Sequence, residues 1–145
     1  MILIIGGAWQ GKLAFAVELA KDTDSMAKVE RETFASKNEK VEGYEIAEGS
    51  RDSFDAAMNC RILHGLHEYI RRLLKEGKSV DGFIEAIEQQ NPDIIITSNE
   101  LGCGIVPLDP EDREWREVSG RASVRLARTS REVYRVVCGI ASRIK

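Results

Sequence analysis

A chain of 145 residues, 43% hydrophobic and 31% charged, is long enough to bury one proper core and short for two. Its formal charge of -3 gives no overall attraction to nucleic acid or to an anionic membrane, so any phosphate it binds has to be held locally. Cys60, Cys103 and Cys138 lie far apart and form no CxxC pair, and the apolar start is too short for a signal peptide. The expectation is a single domain over residues 1–145, cytoplasmic, with reduced thiols.

Ile2 to Ile5 is a continuous apolar run closed by Gly6 and Gly7, the pattern of a strand buried on both faces of a parallel sheet. Lys12 to Lys21 follows as a helix of good helix formers. Between them Gly6-Gly7-Ala8-Trp9-Gln10-Gly11-Lys12-Leu13 fits G-x-x-x-x-G-K, the phosphate loop. The glycines turn backbone N–H groups inward, the helix N-terminus adds partial positive charge, and Lys12 reaches the β and γ phosphates. The alternative is a glycine turn beside a surface lysine. Leu13 stands where the motif offers a hydroxyl to Mg²⁺, which favours phosphate binding over efficient phosphoryl transfer.

From Lys28 to Ser50 the apolar residues Val29, Phe34, Val41, Tyr44 and Ile46 are scattered among charges, and two short strands are expected there. Ser53 to Glu76 reads as one helix, with Met58, Ile62, Leu63, Leu66, Tyr69, Ile70, Leu73 and Leu74 on a broad face and Gly77 just past its end. Ser79 caps a further helix through Gln89, Asn91-Pro92 stops it, and Asp93 to Ser98 is a second buried strand. A glycine-rich loop leads to a helix over Glu111 to Ser130 and a last strand over Val133 to Cys138. Strands and helices in this order predict an α/β, three-layer domain around a mostly parallel sheet.

The last third contains Asn99-Glu100-Leu101-Gly102-Cys103-Gly104-Ile105-Val106-Pro107, followed by Arg113-Glu114-Trp115-Arg116-Glu117-Val118-Ser119-Gly120-Arg121 and a tail from Gly139-Ile140 to Lys145. These segments resemble the N-E-x-G-x-G-I-V-P loop, the R-x-F-R-D-x-x-G-R helix and the G-I-P-x-x-I-K tail of the adenosylcobinamide kinase/adenosylcobinamide-phosphate guanylyltransferase family of cobalamin assembly. With the phosphate loop, the resemblance covers roughly half the chain in the same order. It implies a nucleotide-binding protein that uses GTP or ATP with Mg²⁺ and takes a corrinoid substrate. It further implies kinase and transferase steps, the second through a guanylylated histidine, and a homo-oligomer.

The departures are specific. Trp9, Gln10 and Leu13 replace the arginine and both serines of the family's loop, and no histidine lies between Thr23 and Gly49, where the family keeps its nucleophile. The metal-assisting carboxylate of the family has its nearest counterpart in Asn59, before Cys60-Arg61. Two readings stand side by side: an enzyme with altered chemistry, and a relative that binds nucleotide without catalysis.

By the resemblance and the motif, Lys12, Glu100 and His67 are the catalytic candidates. Gly6, Gly7, Ala8, Trp9, Gln10, Gly11, Lys12, Leu13, Asn99 and Arg121 are the candidates for nucleotide binding. Asn99 and Glu100 leave the end of a buried parallel strand, the edge where ligands sit in open α/β sheets, or they cap the loop around Gly102 and Gly104. Cys60, His64 and His67 fall within about 60° on a helical projection and could line up as ligands or as a replacement histidine site; otherwise His67 borders the apolar face and His64 faces water. Arg121, Arg125, Arg128 and Arg135 share a face if the last helix runs that far, as anion binders or as a solvated, paired flank with Glu117 and Glu132. No metal site is assigned.

Overall fold

Seven strands form a sheet in the order β2-β3-β4-β5-β1-β6-β7, described here from a computed structural model over residues 1–27, 40–41 and 44–145. The elements are β1 (Ile2–Gly6), α1 (Lys12–Ala27), β2 (Lys40–Val41), β3 (Tyr44–Glu48), α2 (Phe54–Asn59), β4 (Ile62–His64), α3 (Leu66–Lys75), α4 (Val80–Gln90), β5 (Ile95–Asn99), a 3₁₀ turn (Leu101–Cys103), α5 (Pro110–Thr129), β6 (Glu132–Val137) and β7 (Ile140–Arg143). Strands β3, β4, β5, β1 and β6 run parallel, while β2 and β7 close the edges antiparallel.

Alternation along the central strands explains the three layers. Leu3, Leu63, Ile96 and Val133 point to one face, where Leu66, Ile70, Ile84, Ile87 and Leu126 of α3, α4 and α5 cover them. Ile2, Ile4, Ile62, Ile95 and Val136 point to the other, against Ala16 and Ala20 of α1. Both faces are therefore dry, which is why these strands read as continuous apolar runs rather than as alternating ones. Side chains such as Ile96 and Leu3 are fully buried, each worth about 1.5–3 kcal/mol of burial.

Most expected elements are present within a residue or two. Ser79 Oγ accepts from Gly82 N–H at 3.0 Å and starts α4, and Asp109 with Pro110 starts α5. The two strands expected between Lys28 and Ser50 correspond to β2 and β3; the Val29 and Phe34 positions lie outside the described residues.

One reading is corrected. The single helix over Ser53 to Glu76 is instead α2, β4 and α3, because Ile62 and Leu63 are drawn into the sheet between β3 and β5 and Gly65 breaks the backbone at φ 78. Cys60, His64 and His67 consequently do not share one helix. Helix α5 ends at Thr129, so it does not run far enough to carry Arg135 on its arginine face, and Arg135 lies on β6 within the strand expected over Val133 to Cys138. The tail from Gly139 is the antiparallel strand β7, reached through a tight turn with positive φ at Cys138 (51) and Gly139 (78). Among the described residues no helix is long and apolar enough to cross a membrane.

Candidate functional site

At the C-terminal edge of β1 the chain turns through Gly6 at φ 154, so close to β6 that a Cβ there would lie 2.4 Å from the Val136 carbonyl oxygen. The loop then carries Trp9 at φ 60 and Gly11 at φ 88 into α1. Left-handed backbone at a bulky residue is strained and persists only where its surroundings hold it. Here the β6–β7 turn does the holding. Gly139 N–H donates to Gln10 O at 3.1 Å, Cys138 N–H donates to Gln10 Oε1, and Gly11 packs on Gly139.

Within the described residues no hydrogen bond takes up the N–H groups of Ala8, Trp9, Gln10 or Gly11. Four consecutive free amides beside a helix N-terminus form an anion-binding nest. Lys12 lies beneath it, 5% exposed, with Nζ donating to Gly7 O at 2.5 Å. Burial lowers its pKa from the ordinary lysine value and the nearby Glu100 carboxylate opposes that shift. Trp9 stands fully exposed on the rim.

The opposite wall is made by β4, α3 and the end of β5. Together the two walls enclose about 490 Å³, lined by Ala8 to Ala14 on one side and by His64, His67, Glu68, Thr97 and Asn99 on the other, with Glu48 and Ser50 at the end of β3. His64 Nδ1 is 2.7 Å from Thr97 Oγ1, which also accepts Gly65 N–H at 3.1 Å. His67, 7% exposed, accepts Asn99 N–H on Nδ1 at 3.3 Å, and its Nε2 is 2.8 Å from the Asn99 side-chain amide. Its ring lies 6.2 Å from Trp115 and nearly parallel to it, while Trp115 Nε1 donates to His67 O at 2.6 Å.

Both imidazoles are held neutral. His67 is pushed down to about 4, first by burial and then by the charges of Lys12 and His64. His64 is lowered by burial and by Lys12, with Glu48 pulling the other way.

The sequence candidates separate into two groups. Ala8 to Leu13, His67 and Asn99 come together on the cavity, whereas Gly6 and Gly7 lead into the loop without lining it, Gly7 O accepting from Lys12 Nζ. Glu100 and Arg121 instead line a neighbouring cavity of about 640 Å³ between the 3₁₀ turn and α5, which shares Asn99 with the first. Glu100 pairs with Arg135 at 3.1 Å, and Arg121 with Glu117 at 3.4 Å on an exposed helix flank. Arg125 is tied to Glu88 at 2.7 Å, whereas Glu132 is engaged by Arg131 and Arg143 rather than by α5. Thr97, Glu48 and Ser50 carried no signal in the sequence, since each is brought to the cavity only by strand pairing.

Asn59 is not the residue at the strand end. It closes α2 with its amide donating to Asp55 O at 2.8 Å, and the side chain that ends β4 at the loop is His64. Around the loop the donor set does not fit a loop-held Mg²⁺. Leu13 supplies no oxygen, the strand end supplies an imidazole, which Mg²⁺ takes poorly, the cavity carboxylates Glu48 and Glu68 come from β3 and α3 rather than from the loop, and among the described residues no three His, Cys, Asp or Glu side chains cluster as a metal site. Cys60 is buried, and burial pushes its thiol up to about 11.

The family model described as cobinamide kinase / cobinamide phosphate guanyltransferase matches residues 37–144, a span that begins after the phosphate loop. The chain is 35% identical over 66 residues to the bifunctional adenosylcobalamin biosynthesis protein CobU of Escherichia coli (strain K12), covering 46% of this chain and 36% of that protein. It is 39% identical over 62 residues to the protein of the same name in Salmonella typhimurium (strain LT2), covering 43% and 34% respectively. The matched stretches span about a third of the length of these curated relatives.

Proposed function

The chain belongs to the cobinamide kinase / cobinamide phosphate guanyltransferase family, and from that premise we propose that it is a single-domain, nucleotide-binding protein of cobalamin biosynthesis that holds the phosphates of GTP or ATP in the cavity between the loop and β4. The observation that carries this reading is the set of four unpaired amides at Ala8 to Gly11 above the buried Lys12. An ammonium 5% exposed is costly without an anion to meet it, and the nest supplies the directed donors that place that anion.

The proposal assigns binding to Gly6, Gly7, Ala8, Trp9, Gln10, Gly11, Lys12 and Asn99, and catalytic contact to Lys12 and His67. Glu100 and Arg121 act from the adjoining cavity, where a corrinoid is the second ligand the family reading calls for. Phosphoryl transfer is weak in this reading. That reaction depends on positioning and charge stabilisation around the transferred group, and Leu13 and His64 withdraw two contacts a metal ion ordinarily uses there. Guanylyl transfer through a histidine before Gly49 is lost with the residue. The proposal also places the protein in the cytoplasm as a homo-oligomer.

The test is calorimetric titration of the intact chain with GTP, ATP and adenosylcobinamide separately, followed by a product assay with Mg²⁺. Micromolar nucleotide binding with turnover far below that of the bifunctional relatives supports the reading. Absence of nucleotide binding overturns it, and robust turnover overturns the weak-transfer clause.

A further inference from the structure

The residue that ends β4 faces the phosphate nest, and its hydrogen bonds fix its chemistry. Thr97 is fully buried, and its hydroxyl has one proton to give. Oγ1 already accepts Gly65 N–H, and the polar group beside it is His64 Nδ1 at 2.7 Å. Either the hydroxyl donates to a bare Nδ1 or Nδ1–H donates to Oγ1, so in both tautomers of the neutral ring Thr97 takes Nδ1 and Nε2 is left to the cavity. Among the described residues nothing partners Nε2, on a side chain that lines the same cavity as Ala8 to Leu13.

Charged and titratable groups face this ring from each element packed around it: Lys12 from α1, Glu48 from the end of β3, and His67 and Glu68 from α3. With the cavity free of anion, burial and the Lys12 charge keep the imidazole neutral. A polyphosphate in the nest brings several negative charges within reach, outweighs Lys12 and reverses that preference.

Resting on the nucleotide-binding reading, we propose that this site takes up its polyphosphate together with a proton instead of a loop-held metal ion, with His64 as the group that receives the proton and donates to a phosphate oxygen through Nε2. The proton comes from solvent and completes the imidazolium, with Nδ1–H donating to Thr97 Oγ1 and Nε2–H to the phosphate oxygen. Thr97 Oγ1, with two lone pairs, then accepts both Gly65 N–H and Nδ1–H. His64 thereby becomes a positioning and affinity-setting residue at the place where a metal-assisting carboxylate would attract the ion rather than the phosphate.

The chain has only two histidines, so their imidazole C–H signals are resolvable by proton NMR in the intact protein. The experiment follows both signals from pH 5 to 8 in EDTA, without ligand and with saturating GTP or inorganic tripolyphosphate, and assigns them with His64→Asn. The expected result is an upward move of the His64 midpoint by one pH unit or more with either ligand. Calorimetry in two buffers of different ionisation enthalpy should report proton uptake beyond the ligand's own titration. That excess is abolished in His64→Asn and retained in Thr97→Ser, which keeps the hydroxyl. A midpoint unmoved by bound ligand overturns the proposal, as does a tenfold or greater gain in affinity on adding Mg²⁺ that also removes the proton uptake. If neither ligand binds, the nucleotide-binding reading falls first, and calorimetry of the unaltered protein distinguishes that outcome from a bound but unprotonated site.

Discussion

The wall from Gly6 to Leu13 and the wall built by β4 and α3 face the same 490 Å³ with different materials. The first presents backbone: four amides whose donor character does not depend on pH, on a loop pinned to the β6–β7 turn. The second presents side chains, His64 and His67, whose charge depends on burial and on neighbours. A backbone nest tolerates Trp9, Gln10 and Leu13 in place of the family's polar residues, because no side chain supplies the N–H groups. The side-chain wall has no such tolerance, since one substitution at the end of β4 changes what the cavity can attract. On the proposed reading, binding rests on the first wall and reactivity on the second.

The largest expected effect breaks the backbone wall at its base. Gly6→Ala puts a Cβ 2.4 Å from the Val136 carbonyl oxygen at φ 154, so β1 and β6 have to part. Stability should fall on the order of 4 kcal/mol, read from the denaturation midpoint, whereas Gly104→Ala, with open space around it, should change little. Equal effects at the two glycines would show that the β1–β6 contact is not what holds the loop.

The side-chain wall is sharpened by pH. The folded pKa of His67, about 4, lies below its ordinary value of 6.5, so between those values the unfolded chain binds a proton that the folded one refuses. The stability from this group is complete above about pH 6.5 and is lost as pH falls toward 4, a loss of at most about 3 kcal/mol. His64 is lowered in the same direction. Thermal unfolding of the protein and of His67→Gln across this range should converge at low pH; parallel curves would mean that His67 takes a proton without cost.

A smaller effect separates binding from stability on the first wall. Lys12→Ala should weaken nucleotide binding at least tenfold, about 1.4 kcal/mol, while leaving the unfolding midpoint near its original value, because Nζ is spent on Gly7 O alone. Unchanged affinity would remove the phosphate-loop assignment. The smallest effect concerns the thiols. A disulfide reagent should modify the exposed Cys103 and Cys138 rapidly at pH 7 and reach Cys60 only on unfolding.

These walls also differ in how far they could be read from the residues alone. The loop was legible because everything it needs is contiguous: an apolar run, glycines, a lysine and a helix start. The α4 and α5 helices were legible for the same reason, through Ser79 and Asp109-Pro110 at their starts. Strand β4 was not. Its three residues fall in phase with the apolar positions of α2 and α3, so helical periodicity ran across them, and they are a strand only because β3 and β5 flank them. With the strand hidden, Asn59 took the place that belongs to His64.

The two indoles sit on opposite sides of this comparison, which gives the molecule two optical channels. Trp9 stands in water at the rim of the nest, so its emission is red-shifted and a ligand seated there changes its exposure. Trp115 lies under the guanidinium of Arg71 at 4.4 Å and beside the His67 ring at 6.2 Å, and its partial burial is expected to place its emission to the blue of Trp9. A charged imidazolium quenches a neighbouring indole more strongly than a neutral ring does. Fluorescence at the red edge then follows the arrival of an anion at the loop, while intensity at the blue edge follows protons reaching the histidine wall, in one spectrum and without a label.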